Sequence, residues 1–84
     1  VNISFHKNAF EDYIFFQKND KKLSNKINEL LKNITKETFT GIGKPEPLKH
    51  SLTGCWSRRI NNEHRIVYTV KDNTIYVMQC RYHY

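Results

Sequence analysis

The spacing of apolar residues changes period twice along the chain, and each change predicts an element. Residues 1–5 alternate, which predicts a short strand with Ile3 and Phe5 on one face. Asn8 can then cap a helix, with Glu11 three residues later in the position of a capping-box acid. This helix is expected to run to Asn19 and to bury Phe10, Tyr13 and Ile14, with at least one of Phe15 and Phe16. Asp20 reads as a second N-cap. Behind it Leu23, Ile27, Leu30, Leu31 and Ile34 recur at helical spacing, while Lys22, Lys26, Glu29 and Lys32 face water. Two helices with so little between them form an antiparallel helical hairpin.

The pattern breaks after Lys36. Residues 37–50 contain Gly41, Gly43 and both prolines, Pro45 and Pro47, which predicts an ordered loop of the kind that is usually functional. Strands follow over 55–60, 65–70 and 74–80, with Asp72-Asn73 as a tight turn between the last two. Pairing Lys71 with Thr74 places Ile66, Tyr68, Val70, Ile75 and Val77 on a face expected to meet the helices. Arg65, Val67, Thr69, Tyr76 and Met78 line the other, which is partly polar and suited to be a working surface. The expected fold class is α+β, an antiparallel sheet with an N-terminal helical hairpin on one face. A chain of 84 residues supports one core, so residues 1–84 are expected to form one domain.

Charge narrows the partners. Fourteen Lys+Arg against eight Asp+Glu give a net charge of +6, which attracts polyanions. Nucleic acid is the commonest of these, although an acidic protein would satisfy the same field. No apolar run approaches the ~20 residues of a membrane span. Val1 to Phe5 is followed at once by His6, Lys7 and Asn8, which does not read as a signal peptide, so the cytoplasm is the expected location. Cys55 and Cys80 fit no zinc pattern and are expected to be buried, reduced strand thiols; neither metal nor cofactor is expected.

Three features carry possible chemistry. The loop Gly41-Ile42-Gly43-Lys44-Pro45-Glu46-Pro47-Leu48-Lys49-His50 pins one carboxylate, Glu46, between two prolines and among cations. The segment Trp56-Ser57-Arg58-Arg59-Ile60, with Arg65 beyond it, gathers guanidinium groups on strands, and the chain ends Arg81-Tyr82-His83-Tyr84. RNA cleavage without metal needs a base for the ribose 2′-OH, an acid for the departing 5′ oxygen and a cation for the phosphorane charge. Glu46 can be the base, His83 the acid, and Arg65 with Arg59 or Lys49 the cation. The terminal carboxylate beside His83 favours the protonated form an acid needs, and Tyr82 or Tyr84 can stack on a base. Each residue also has an ordinary reading. Glu46 alone is a solvated loop acid, and a penultimate histidine is usually exposed. Arg58 and Arg59 are a solvated pair on opposite sides of their strand, and Trp56 belongs to the core. His6, His50 and His64 read as surface or structural residues. Composition and spacing alone therefore support a basic α+β domain that binds RNA.

Four blocks in order carry a more specific signal: Gly43-Lys44-Pro45-Glu46-Pro47-Leu48-Lys49, Trp56-Ser57-Arg58-Arg59-Ile60, Glu63-His64-Arg65-Ile66-Val67-Tyr68 and Cys80-Arg81-Tyr82-His83-Tyr84. Through them the chain resembles, nearly end to end, the YoeB toxins, a branch of the RelE superfamily of bacterial toxin–antitoxin systems. The resemblance implies a microbial-ribonuclease-like fold and metal-free cleavage of mRNA in the ribosomal decoding site, leaving a 2′,3′-cyclic phosphate. It implies Glu46 as general base, His83 as general acid and Arg65 as the cation of the transition state. Lys49, Arg59 and Tyr84 are implied to position substrate or stabilise charge. A YefM-like antitoxin, the ribosome and mRNA are the implied partners, and a homodimer is left open. The departures are Val1, where a start methionine is expected, and Cys55, at a site often aromatic in relatives.

Two other functions compete. One is a non-catalytic nucleic-acid binder or corepressor. The other is a gyrase-directed toxin on the same fold, as in ParE relatives, which lack a matched base and acid. One conflict remains: strict alternation from Thr74 puts His83 on the helix face, opposite Arg65. A bulge near residues 80–82 would resolve it, as would a tail bending around the sheet edge, and the bend is the expected solution.

Overall fold

The chain turns from one helix into the next at Asp20. Its carboxylate accepts the Leu23 N–H at 3.0 Å, as a capping acid does, while its own N–H closes the preceding helix on Phe16 O at 2.9 Å. The computed structural model describes residues 1–82. In it β1 (Asn2–Phe5) leads into α1 (Lys7–Asn19) and α2 (Lys21–Lys36), followed by β2 (Glu46–Pro47), a short 3-10 helix (His50–Leu52), β3 (Trp56–Arg59), β4 (Arg65–Lys71) and β5 (Thr74–Gln79). The strands form one sheet in the order β1-β5-β4-β3-β2. The fold is α+β as expected; β1 joins β5 in parallel, and the other pairs are antiparallel. No helix among the described residues is long and apolar enough to cross a membrane.

The core lies between α2 and the sheet. Leu23, Ile27, Leu30, Leu31 and Ile34 are all buried, and they cluster with Ile66, Tyr68, Ile75 and Val77. Val70, expected on the same face, is near the sheet end and exposed. The first helix departs further from its pattern. It buries Ala9 and Phe16, while Phe10 and Phe15 are exposed and Tyr13 and Ile14 half-buried. Only one stripe of α1 can face inward, and Ala9 and Phe16 lie two turns apart on it. Phe10 and Phe15 instead lie against Phe5 and the Arg81 guanidinium. The helix also begins before Asn8. His6 is the N-cap, its ring nitrogen accepting the Asn8 N–H at 3.4 Å, because the His6 N–H is already tied to Val77 O of β5.

Only part of the segment 37–50 is loop: β2 sits in it. Pro45 and Pro47 hide this strand from sequence reading, yet an edge strand tolerates proline because its outer N–H has no partner to lose. The rest is held by Arg58. The sequence reads Arg58 as solvated, but it is fully buried. Its Nε donates to the Tyr68 hydroxyl at 3.2 Å, and Nη1 to Ile42 O at 3.0 Å and to Asn33 Oδ1. The other terminal nitrogen donates to Thr40 O at 2.6 Å, Thr38 O at 3.3 Å and Glu37 O. Several of these carbonyls follow the C-terminus of α2, where the helix dipole favours a cation. Burial pushes the Tyr68 phenol above its ordinary pKa, with Arg58 acting in the opposite direction. Gly43 fits beneath this loop because a side chain there would strike Leu30 at 2.7 Å, and its φ of 82° is left-handed.

The register of β5 slips once. Tyr68 faces Val77 and Val67 faces Gln79, so Met78 is the extra residue of a β-bulge. The slip lets both Val77 and Cys80 enter the core, where the Cys80 thiol donates to Ala9 O at 3.3 Å. Past Gln79 the chain leaves the strand and bends at Arg81 and Tyr82, where the Tyr82 carbonyl accepts the Arg65 N–H at 3.0 Å. The bulge lies upstream of residues 80–82, the place considered for one.

Of the two thiols only Cys80 is buried; Cys55, beside the turn at Gly54, is half-buried. Burial, reinforced by the nearby Asp12 carboxylate, pushes the Cys80 pKa up to about 12 from 9.0. The stability gained by keeping this thiol neutral is whole below the ordinary value and lost as pH rises from there through the folded value. At pH near 8, a maleimide is therefore expected to label Cys55 first and Cys80 only on unfolding. Equal labelling rates in the native protein would contradict this burial.

Candidate active site

Residues directly opposed across a ladder share a face of the sheet, so register alone assembles the site. Glu46 of β2 faces Ser57 of β3, Ser57 faces Val67 of β4, and Arg59 faces Arg65. Their neighbours Trp56 and Arg58 point the other way. Trp56 packs on the core and against Phe39, with ring centroids 4.9 Å apart. Arg58 and Arg59 thus lie on opposite sides of β3, as alternation requires, with unlike fates: one is a buried anchor, the other faces the helix-free side.

On that side the Arg65 guanidinium comes within 3.8 Å of the Glu46 carboxylate, and the two side chains are 16% and 53% exposed. A pair this open contributes only about 0–1 kcal/mol to folding. Its consequence is placement: a carboxylate and a cation are held side by side on the helix-free face of the sheet. Arg59 completes the cluster. Its N–H donates to Gly43 O at 2.6 Å, tying the loop that delivers Glu46 to the end of β3. Below these charges Val67 and Ser57 are buried, and the Ser57 hydroxyl has no hydrogen-bond partner among the described residues.

The structure therefore brings Glu46, Arg59 and Arg65 onto one face. Lys49, exposed, follows β2 and precedes the 3-10 helix. His83 and Tyr84 lie outside the described residues. Of the other histidines, His6 caps α1, His50 is exposed with a left-handed backbone, and His64 is buried. Two residues with no obvious signal in the sequence hold the chain just ahead of His83: His64 accepts the Tyr82 N–H, and Gln79 donates to Arg81 O and Tyr82 O. Among the described residues no cluster of His, Cys, Asp or Glu could hold a metal ion.

The chain is similar to known proteins over its whole length. Residues 5–84 match the family described as YoeB-like toxin of bacterial type II toxin-antitoxin system. Toxin YoeB of Synechocystis sp. is 54% identical over 84 residues, covering 100% of this chain and 98% of that protein. A YoeB/ParE toxin structure from Agrobacterium tumefaciens superposes with a TM-score of 0.97 at 43% identity, covering 100% of both chains. Two Staphylococcus aureus structures, a YoeB–YefM complex and a YoeB dimer, give TM-scores of 0.93 and 0.92 at 60% and 61% identity, each covering 100% of this chain and 98% of its own. With its fold matched over its whole length and its sequence matched from Phe5 onward, the chain belongs to the YoeB family of toxins of bacterial type II toxin–antitoxin systems.

Proposed function

We propose that this toxin is a ribosome-dependent mRNA endoribonuclease. The observation that carries the reading is the Glu46–Arg65 pair, 3.8 Å apart on the helix-free face with Arg59 opposite Arg65. A binding module needs the cations but gains nothing from a carboxylate set among them, because it repels phosphate. A base for the ribose hydroxyl explains it.

In this mechanism Glu46 takes the proton of the 2′-OH as that oxygen attacks the adjacent phosphorus. Arg65, with Arg59 and Lys49, stabilises the charge gathering on the non-bridging oxygens. The bond from phosphorus to the 5′ oxygen then breaks, and His83 supplies the proton that the departing oxygen takes up. The products are a 2′,3′-cyclic phosphate and a 5′-hydroxyl. Tyr84 stacks on or orients the substrate. The net charge of +6 suits a surface that docks on ribosomal and messenger RNA. A YefM-like antitoxin with an acidic segment would inhibit by covering Arg59 and Arg65, as befits a family with a solved YoeB–YefM complex.

The test is the chemistry of the cut ends. Ribosomes programmed with a defined mRNA and incubated with the toxin are expected to yield fragments bearing 2′,3′-cyclic phosphate and 5′-hydroxyl, with little cutting of free mRNA and none after antitoxin is added. Intact mRNA in a stalled complex would favour the binding module, and inhibition of gyrase without RNA cleavage would favour the ParE-like alternative.

A further inference from the structure

The chain just before His83 is clasped from several sides. The Tyr82 N–H donates to His64 Nδ1 at 2.8 Å, and its carbonyl accepts from the Arg65 N–H at 3.0 Å. Gln79 Nε2 donates to Arg81 O at 3.0 Å and reaches Tyr82 O at 3.3 Å. The Arg81 guanidinium lies 4.4 Å over the Phe15 ring and 4.8 Å over that of Tyr82. Tyr82 itself has a φ of 63°, a left-handed conformation that a non-glycine residue holds only under constraint.

His64 supplies that constraint. The residue is 7% exposed, and its ring packs between Phe16, at 5.2 Å, and Tyr82, at 5.5 Å. A backbone N–H can only donate, so Nδ1 must be bare, leaving the ring proton on Nε2, which lies 3.5 Å from the Glu63 carboxylate. The adjacent residues His64 and Arg65 therefore grip Tyr82 at both ends, one through its ring and the other through its N–H. Arg65 is also the cation beside Glu46. This tie therefore fixes Tyr82 to Arg65, one member of the pair that builds the site.

We propose that His64 is a positioning residue, whose Nδ1 fixes the backbone of Tyr82, the residue before the proposed acid His83, against β4 beside Arg65. This rests on the reading of His83 as the general acid. A purely space-filling role for His64 predicts different outcomes. Phenylalanine fills the same space but accepts no hydrogen bond. Asparagine leaves a gap but places an acceptor where Nδ1 stands.

The experiment compares wild type, His64→Phe, His64→Asn and His83→Ala by Tyr82 amide exchange, urea midpoint, and kcat and KM on programmed ribosomes. His64→Phe is expected to keep a near wild-type midpoint, lose Tyr82 amide protection, and lower kcat by about 10²-fold with KM little changed, as misplaced catalytic groups do. His64→Asn is expected to recover amide protection and most of kcat despite a lower midpoint. A protected Tyr82 amide or wild-type kcat in His64→Phe would overturn the proposal, as would His64→Asn being the less active variant. Wild-type cleavage by His83→Ala would remove the general acid and, with it, the catalytic purpose of the tie; Tyr82 exchange would still report whether His64 makes it.

Discussion

Replacing Arg58 with methionine is expected to remove a large part of the protein's stability. Methionine approximates the aliphatic stem but removes every donor. The carbonyls of Glu37, Thr38, Thr40 and Ile42, the Asn33 side chain and the Tyr68 hydroxyl all lose the guanidinium that now joins them. Removing one partner of a buried charged network costs about 3–5 kcal/mol, against a total stability of about 5–15 kcal/mol for a domain. With a urea slope of about 1–3 kcal/mol per molar, the midpoint should fall by more than about 1 M. Lysine keeps the charge but cannot spread its donors over so wide a ring of acceptors, so Arg58→Lys should fall as well, by less. Arg59→Met, one residue along and on the opposite face, should stay within about 0.5 kcal/mol of wild type, as surface changes do. An Arg58→Met midpoint equal to wild type would mean that the network contributes nothing to stability.

What the sequence reveals depends on how local the cause is. The second helix is readable throughout, because Asp20 caps it and its apolar residues follow one period. Aromatic and aliphatic residues crowd Phe10 to Phe16 so densely that several stripes fit equally well, and the seat beneath Cys80 selects the stripe of Ala9 and Phe16. Arg58 could not be read as buried because its acceptors lie 10 to 25 residues away. The bulge at Met78 is similarly non-local. Charge and alternation were enough to separate Arg59 from Arg58 and to mark a polar face. Bringing Glu46 to Arg65 required the pairing of β2, which the flanking prolines conceal. The four sequence blocks named both residues through family resemblance, and the register then placed them together.

Glu46→Gln is expected to lose about 10²–10⁴-fold in cleavage, the usual effect of removing a positioned base. The amide matches the carboxylate in shape but cannot accept the proton. Stability should barely change, since the carboxylate is half-exposed on an edge strand and its pair with Arg65 contributes only about 0–1 kcal/mol. Arg65→Ala should lose about 10²–10³-fold, comparable to removing a single oxyanion donor. The double variant should be little worse than Glu46→Gln alone, because groups acting as one unit are not additive.

The most direct test is primer extension on a defined mRNA bound to purified ribosomes, with wild type and Glu46→Gln at matched ribosome occupancy. Wild type is predicted to produce strong stops at the codon in the decoding site, and Glu46→Gln to produce none above background. Equal cleavage by the two proteins, or intact mRNA with the wild type, would contradict the account.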